Sequence, residues 1–364
     1  MKIIELLKII EDFAPLQYQE SYDNCGLLVG NRESEIKGVL LSIDITPEVL
    51  QEAFQSGCNL VIAHHPLIFK PLSKLTGSNM VEECVIYAVK NDIAVYAAHT
   101  NFDMVKGGVS YRMAEKLGLV DTRCLMPASQ GLQKLICFVP ESHADAVREA
   151  MFAGGAGNIG NYDQCSFNTS GFGTFRAGDN CKPYVGSTGE MHREPEIRIE
   201  TIVHKAHLPG MIQSMLAAHP YEEVAYDIIP LGNSDPSSGL GVIGELQQTI
   251  TGAQFLRLIK DIFGCSTVKS NKMLPENIRR VALCGGSGAS LIPAALASKA
   301  DAFITAEIGF HQYFQAEGKL WLLDIGHYES EQFTKEIFYD LLSKINSTFA
   351  VRFSNINTNP IKFI

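Results

Sequence analysis

Apolar residues recur at helical spacing over 2–14, at Ile3, Leu6, Leu7 and Ile10, and predict an amphipathic first helix. After a polar loop, GVLLSID (38–44) reads as a short apolar strand. Thr46 then suits a helix cap and Pro47 a first helical turn, and that helix ends at Gly57. NLVIAHH (59–65) is the next strand, followed by a helix near 79–91 and a strand over 93–98. HTNFD (99–103) follows at once, and Gly107-Gly108 opens a helix that ends at Gly118. Strands apolar on both faces, alternating with helices, predict a mostly parallel sheet covered on both sides. The pattern pauses at 121–131, around Pro127 and Gly131.

Residues 132–231 are patterned differently. Strand QKLICFVP, a helix over 141–152, polar strands near 162–177, the alternating EIRIETIVH (196–204), a helix from Pro209 to Ala218 and strand EEVAYDIIPL give β-α-β-β-α-β. That is the order of a ferredoxin-like α+β domain, with 178–195 as an elaboration. GNSDPSSGLG (232–241) reads as a linker by composition. The α/β pattern then resumes, with helices at 251–263, 290–298 and 309–317, strands at 280–284, 301–305 and 320–324, and a long helix over 328–345. The expected organisation is an α/β lobe (1–125), an insert (126–235) and a second α/β lobe (236–364). Three successive domains are the competing arrangement.

Composition narrows the classes. With 46% hydrophobic and 19% charged residues in 364, the chain is not disordered and is long enough for a sizeable core. The net charge is −10 and the basic clusters are isolated pairs such as Arg279-Arg280, which argues against nucleic acid as a direct partner. No run of 18 apolar residues occurs, and Glu5, Lys8, Glu11 and Asp12 break the apolar start, so neither a membrane span nor a signal segment is expected. Nine scattered cysteines without a C-x-x-C fit a reducing compartment, and the expected location is the cytoplasm.

The chemistry collects at strand ends. His64 and His65 close one strand, His99 and Asp103 lie just past the next, and His327 with Glu331 follows LWLLD at helical i,i+4 spacing. Imidazole and carboxylate ligands suit zinc, iron, manganese or cobalt, and this many suffice for two divalent ions. His99 either orients a ligand or shuttles a proton, or is a loop histidine. Glu307 and His311 extend the site or form a solvated helix start. Asp23 and Asn24 hold a substrate or a ligand histidine, or make a turn. Gly285, Gly286, Ser287 and Gly288 cradle a phosphate through backbone N–H groups or make a tight turn, and they lack the spacing and lysine of a P-loop. His219 and Glu222, flanking Tyr221, form either a ligand site or a hydrogen-bonded turn. Cys165 and Cys181 have no partners at metal spacing.

SYDNCGLLVG (21–30), IAHHP (62–66), HTNFD (99–103) and GHYESE (326–331), in this order, resemble the motifs of the GTP cyclohydrolase 1 type 2 family, also called NIF-three-like. The resemblance spans about 1–125 and 240–364. It implies a two-lobed α/β fold, metal ligands His64, His65, Asp103, His327 and Glu331, two divalent ions per subunit, and a toroidal homohexamer. AHPYEEVAYD (218–227) makes the insert similar to the PII- or CutA-like insert of longer members. Members often carry Thr-Gly-Asp/Glu where this chain has Thr305-Ala306-Glu307, which leaves that loop's geometry open. The implied activity is conversion of GTP to dihydroneopterin triphosphate and formate, with His99, Glu307 and His311 as candidates for proton transfer. A metal-dependent phosphoesterase or nucleotide hydrolase, and a non-catalytic metal-binding regulator or chaperone, are the alternatives.

Overall fold

The computed structural model describes residues 1–128, 131–272, 274–345 and 349–362. Along the chain come α1 (Ile3–Phe13), β1 (Gly26–Val29), β2 (Gly38–Ser42), α2 (Pro47–Gln55), β3 (Leu60–Ala63), α3 (Met80–Lys90), β4 (Ala94–Ala97), α4 (Thr100–Met104), α5 (Val109–Lys116) and β5 (Val120–Ala128). Next are β6 (Leu132–Pro140), α6 (Ala144–Ala153), β7 (Ser166–Arg176), β8 (Met191–His204), α7 (Leu208–Ala218) and β9 (Tyr226–Pro230). The chain continues through β10 (Asp235–Ile250), α8 (Gly252–Phe263), β11 (Lys269–Ser270), β12 (Ile278–Ser287), α9 (Ile292–Ala297), β13 (Ala302–Ala306) and β14 (Trp321–Asp324). It closes with α10 (His327–Glu331), α11 (Thr334–Leu342) and β15 (Ala350–Phe353).

Two compact units result. One comprises Met1–Pro127 with Pro236–Ile364, the other Ala128–Asp235. The first unit holds a five-stranded sheet, β1-β4-β3-β2-β15, and a six-stranded sheet, β11-β14-β13-β12-β10-β5. The first has parallel strands β4-β3-β2-β15 with antiparallel β1 at one edge, and the second a parallel centre β14-β13-β12 with antiparallel β11 and β10 on either side. Strand periodicity divides the side chains between two cores. Val39, Leu41, Leu60, Ile62 and Tyr96 pack against α1 and α11, while Leu40, Val61, Ala63 and Val95 pack against α2 and α3. The second sheet splits likewise. Val281, Leu283, Ile304 and Leu323 face α5 and α8, and Ala282, Phe303 and Leu322 face α9. Every central strand is buried on both faces, which is why these segments read as unbroken apolar runs. Among the described residues no helix is long and apolar enough to cross a membrane.

The structure departs from the sequence pattern in several places. The pause at 121–131 is largely strand β5, which joins the second sheet beside β10, and residues 129–130 lie outside the described set. The stretch 232–241, read as a linker, is strand β10 from Asp235 onward. Its glycines serve close approach, not looseness: a Cβ on Gly239 would fall 2.3 Å from the Met126 carbonyl oxygen. GGS of the GGSG run ends β12 instead of forming a loop. The helix expected over 309–317 is a 3₁₀ turn, Phe310–Ala316. The long helix over 328–345 is broken after Glu331, where the Gln332 amide donates to the carbonyls of Phe263 and Glu329. That break lets α10 and α11 serve different cores. Ile337, Phe338 and Leu342 of α11 pack into the first core, and β15 adds to the first sheet alongside β2. The two halves therefore exchange segments: β5 goes to the second sheet, α11 and β15 to the first.

In the second unit, β6, β7, β8 and β9 form an antiparallel sheet in the order β7-β8-β6-β9. Leu135, Cys137, Val139, Ile199 and Val203 cover one face together with Val147 and Met151 of α6 and Met211 and Met215 of α7. Strand β8 starts at Met191, paired with Arg176, so it takes in part of the stretch expected to be an elaboration.

Because α11 seals the first core, replacing Phe338, fully buried and stacked 4.8 Å from Phe102, by alanine should cost about 3–5 kcal/mol. A urea titration followed by far-UV circular dichroism measures this, and an unchanged midpoint would contradict the packing role.

Candidate metal centre

Parallel register places the candidate residues on one rim. Ser42, Ala63 and Ala97 are aligned at the ends of β2, β3 and β4, so Asp44, His64–His65 and His99 emerge side by side. Thr305 and Asp324 are aligned likewise, and Glu307 and His327 emerge after them. Strand ends of this kind are where parallel sheets present ligand-binding groups.

Four imidazoles are held in one way. His64 Nδ1 bonds the Ala98 carbonyl oxygen at 2.8 Å, His65 Nδ1 the Asp44 carboxylate at 2.7 Å, His99 Nδ1 the Asp23 carboxylate at 2.9 Å and His327 Nδ1 the Glu307 carboxylate at 3.0 Å. An acceptor at each Nδ1 makes that nitrogen the N–H donor and turns Nε2 into a lone pair. The Nε2 atoms then point at other acceptors. His65 Nε2 and His327 Nε2 lie 3.2 Å apart, and Glu331 Oε2 lies 2.9 Å from the first and 3.1 Å from the second. Glu331 Oε1 faces His64 Nε2 at 3.6 Å, and Asp103 Oδ1 lies 3.9 Å from that same nitrogen. His64 Nε2, Asp103 Oδ1 and Glu331 Oε2 are buried without a hydrogen-bond donor. Lone pairs facing lone pairs at these distances require a positive charge among them, a proton or a cation. The donor set, nitrogen and carboxylate oxygen, fits a divalent ion of the zinc, iron, manganese or cobalt type. Two overlapping groups bring candidate ligand atoms within 4.8 Å of one another: His64, His65 and His99, and His65, His327 and Glu331.

Of the five residues expected as ligands, His64, His65, His327 and Glu331 fall in these groups, Asp103 lies outside both at 3.9 Å from His64 Nε2, and His99, expected to orient a ligand or move a proton, joins the first group. Glu307 touches His327 and so positions it. His311 sits on the exposed 3₁₀ turn with its ring against Phe310, and none of its described contacts reaches the cluster. Glu307 precedes that turn at φ +56°, outside any helix, so the two residues share no helical face.

Electrostatics follow the same arrangement. Burial opposes protonation of His65, but the Asp44 and Glu331 carboxylates outweigh it and push the ring up to about 10. Burial likewise opposes protonation of His327, and Glu331 pushes that ring up to about 9. Burial and then the Glu331 charge raise Asp103. Glu331 is held well below the usual carboxylate range, against its burial, by His64, His327 and His65.

One contributor, Asp44, was not assigned from sequence. Asp44 holds His65 and in turn accepts the Thr358 hydroxyl. It lies just past the end of β2 as His64 lies past β3, and that parallel was the available signal. Asp23 resolves to the histidine-holding role, with the Thr100 N–H at 3.0 Å also on its carboxylate, while Asn24 donates to the Ile68 carbonyl at 2.6 Å. The GGSG run does not offer a phosphate cradle. Gly285 N–H donates to Ser110, Gly286 N–H to Ser330 and Gly288 N–H to Thr305. Gly286 is needed for another reason: at φ +61° a Cβ there would lie 2.2 Å from Glu331 Oε1. At Thr305-Ala306-Glu307 the backbone turns at the last residue, with Glu307 at φ +56°. In the second unit both ring nitrogens of His219 are used, one with the Phe138 carbonyl and one with the Tyr221 N–H, which makes the turn the outcome there.

A two-lobed α/β unit with parallel-centred sheets and a rim of converging imidazoles and carboxylates defines a metal-site scaffold. The chain belongs to the Duf34/NIF3 (NGG1p interacting factor 3) family, whose model matches residues 1–360. A Halalkalibacterium halodurans protein named GTP cyclohydrolase 1 type 2 homolog is 37% identical over 365 residues, covering 99% of this chain and 98% of the relative. A Bacillus subtilis protein of the same name is 35% identical over the same extent. The crystal structure of a Bacillus cereus protein related to NIF3 superposes with a TM-score of 0.83 at 36% identity, covering 100% of this chain and 99% of that one. The similarity therefore includes the middle unit, which the quoted metal motifs do not reach.

Metal binding should displace protons. With His65 and His327 raised above neutrality, each ring must lose its proton to become a ligand, so affinity should rise with pH between 6 and 8. Calorimetric titration with zinc in buffers of different ionisation enthalpy reads the protons released, and zero release would contradict the assignment. Asp44→Ala, which frees His65 Nδ1, should lower zinc affinity about 10–100-fold in a competition titration while the far-UV spectrum stays unchanged.

Proposed function

We propose that this protein is a metal-dependent hydrolase holding two divalent ions per chain, with a nucleotide as substrate. The reaction named for its relatives is the specific form of this proposal: GTP and water give formate and dihydroneopterin triphosphate. The supporting observation is the placing of Glu331. Its two oxygens face different imidazoles, His64 on one side and His65 with His327 on the other, as a carboxylate shared between two cations would. Ions held there would acidify a water molecule and stabilise negative charge developing on the substrate.

The chain's own residues divide the remaining work. His64 and Glu331 are 0% and 3% exposed at the side chain, which fixes the inner wall. His65 and His327 are 24% and 29% exposed, and that side admits a substrate. Asp23 anchors His99 Nδ1 and leaves Nε2 as the ring atom able to take up or release a proton at the rim. Glu307 orients His327. Assembly as a toroidal homohexamer is part of the proposal, and the exposed Phe310 and Phe314 offer apolar surface for contact between copies.

A nucleotide panel with metal-loaded wild type and Asp103→Ala tests the reading, with formate release and pterin absorbance as signals. Metal content and turnover should fall together in the variant, and native mass spectrometry should give six chains. If metal-loaded wild type turns over none of the panel, the hydrolase reading fails and a non-catalytic metal-binding role takes its place.

A further inference from the structure

The second unit has a cavity of about 600 Å³ on the sheet face that α6 and α7 leave open. That is within the usual range for a small-molecule site. Its floor is set by register: Gly171 of β7 pairs with Glu196 of β8, and Gly173 with Glu194. Two glycines there remove side chains that would fill the space. Gly173 also lets a carboxylate lie across the strand, because a Cβ at that position would fall 2.1 Å from Glu196 Oε2. The other oxygen of Glu196 accepts the Tyr221 hydroxyl at 3.0 Å, which fixes the carboxylate in the cavity lining.

The walls are aromatic: Phe138, Phe175, Tyr184 and Tyr221. Tyr221 lies 6.2 Å from Phe175 and 6.3 Å from Tyr184, ring centre to ring centre. The segment carrying Tyr184 is pinned in two ways. The Lys182 N–H donates to Glu222 at 2.9 Å, and the Tyr184 ring meets His143 edge-on at 5.4 Å. Of the charged lining groups, Arg198 is paired with Glu200 at 2.9 Å and Glu222 accepts the Lys182 N–H; Arg176 and Glu223 also line the cavity, and Glu196 is the carboxylate tied to a ring hydroxyl of the wall. Aromatic faces attract flat rings and cations, and a carboxylate accepts two adjacent N–H donors.

We propose that this cavity binds a flat aromatic ligand whose edge carries two adjacent, positively polarised N–H groups, received by Glu196 between the aromatic walls. This site is separate from the metal centre and does not depend on the hydrolase reading. The probes are benzamidine, benzamide and benzoate, followed by saturation-transfer NMR on the full-length protein without added metal. Benzamidine should bind, benzamide more weakly, and benzoate not at all. Glu196→Gln, which keeps shape and removes charge, should weaken benzamidine at least tenfold, as should Phe175→Leu, which keeps charge and removes a wall. Asp103→Ala should leave benzamidine binding unchanged. Binding that persists in Glu196→Gln, binding lost only in Asp103→Ala, equal binding of benzoate, or no benzamidine binding would each overturn the assignment.

Discussion

Acceptors that face acceptors organise this molecule. Each of four imidazoles is tied at Nδ1 to a carbonyl or carboxylate oxygen, and those of His64, His65 and His327 turn Nε2 toward the same place, where Glu331 and Asp103 add more negative charge. Such a cluster is costly in isolation, since buried like dipoles and charges repel in a medium of low polarity. It persists because the surrounding framework is rigid: three strands in parallel register on one side, two on the other, and a glycine at 286 that admits Glu331. A positive charge at the centre converts the repulsion into attraction.

This arrangement explains which parts of the molecule were legible in the sequence. Central strands sit between two helical layers, so β2, β3, β4, β13 and β14 show as apolar runs, and the candidate ligands come after three of them, β3, β4 and β14. What escaped was set by contacts far along the chain. Strand β15 exists because β2 offers an edge, and β10 because its glycines fit against β5; neither has a local signature strong enough to outweigh its composition. The break between α10 and α11 escaped for a similar reason, since helical periodicity runs through it and only the competing cores divide it.

Within the site, the candidate ligands and the histidine-holding option for Asp23 could be read from motif and spacing, but the role of Asp44 could not. Asp44 looks like an ordinary loop residue until the fold sets it against His65. The Gly-rich run at 285–288 invited a phosphate-binding reading because glycine there is required, and the requirement proved to be steric room for a carboxylate. His311 shares an i,i+4 interval with Glu307, and that interval means nothing when Glu307 lies outside the helical turn that carries His311.

The middle unit enters the chain between β5 and β10, which are already neighbours in one sheet. Topologically it occupies the place of a hairpin loop, however many residues it contains. Closing a longer loop between strands whose ends already meet adds entropy cost only logarithmically, about 0.6 kcal/mol per doubling. The unit with the candidate metal site is in that sense indifferent to what is spliced there. Its stability and its site are decided by strand partners on either side of the splice, and the intervening chain is free to acquire a binding chemistry of its own.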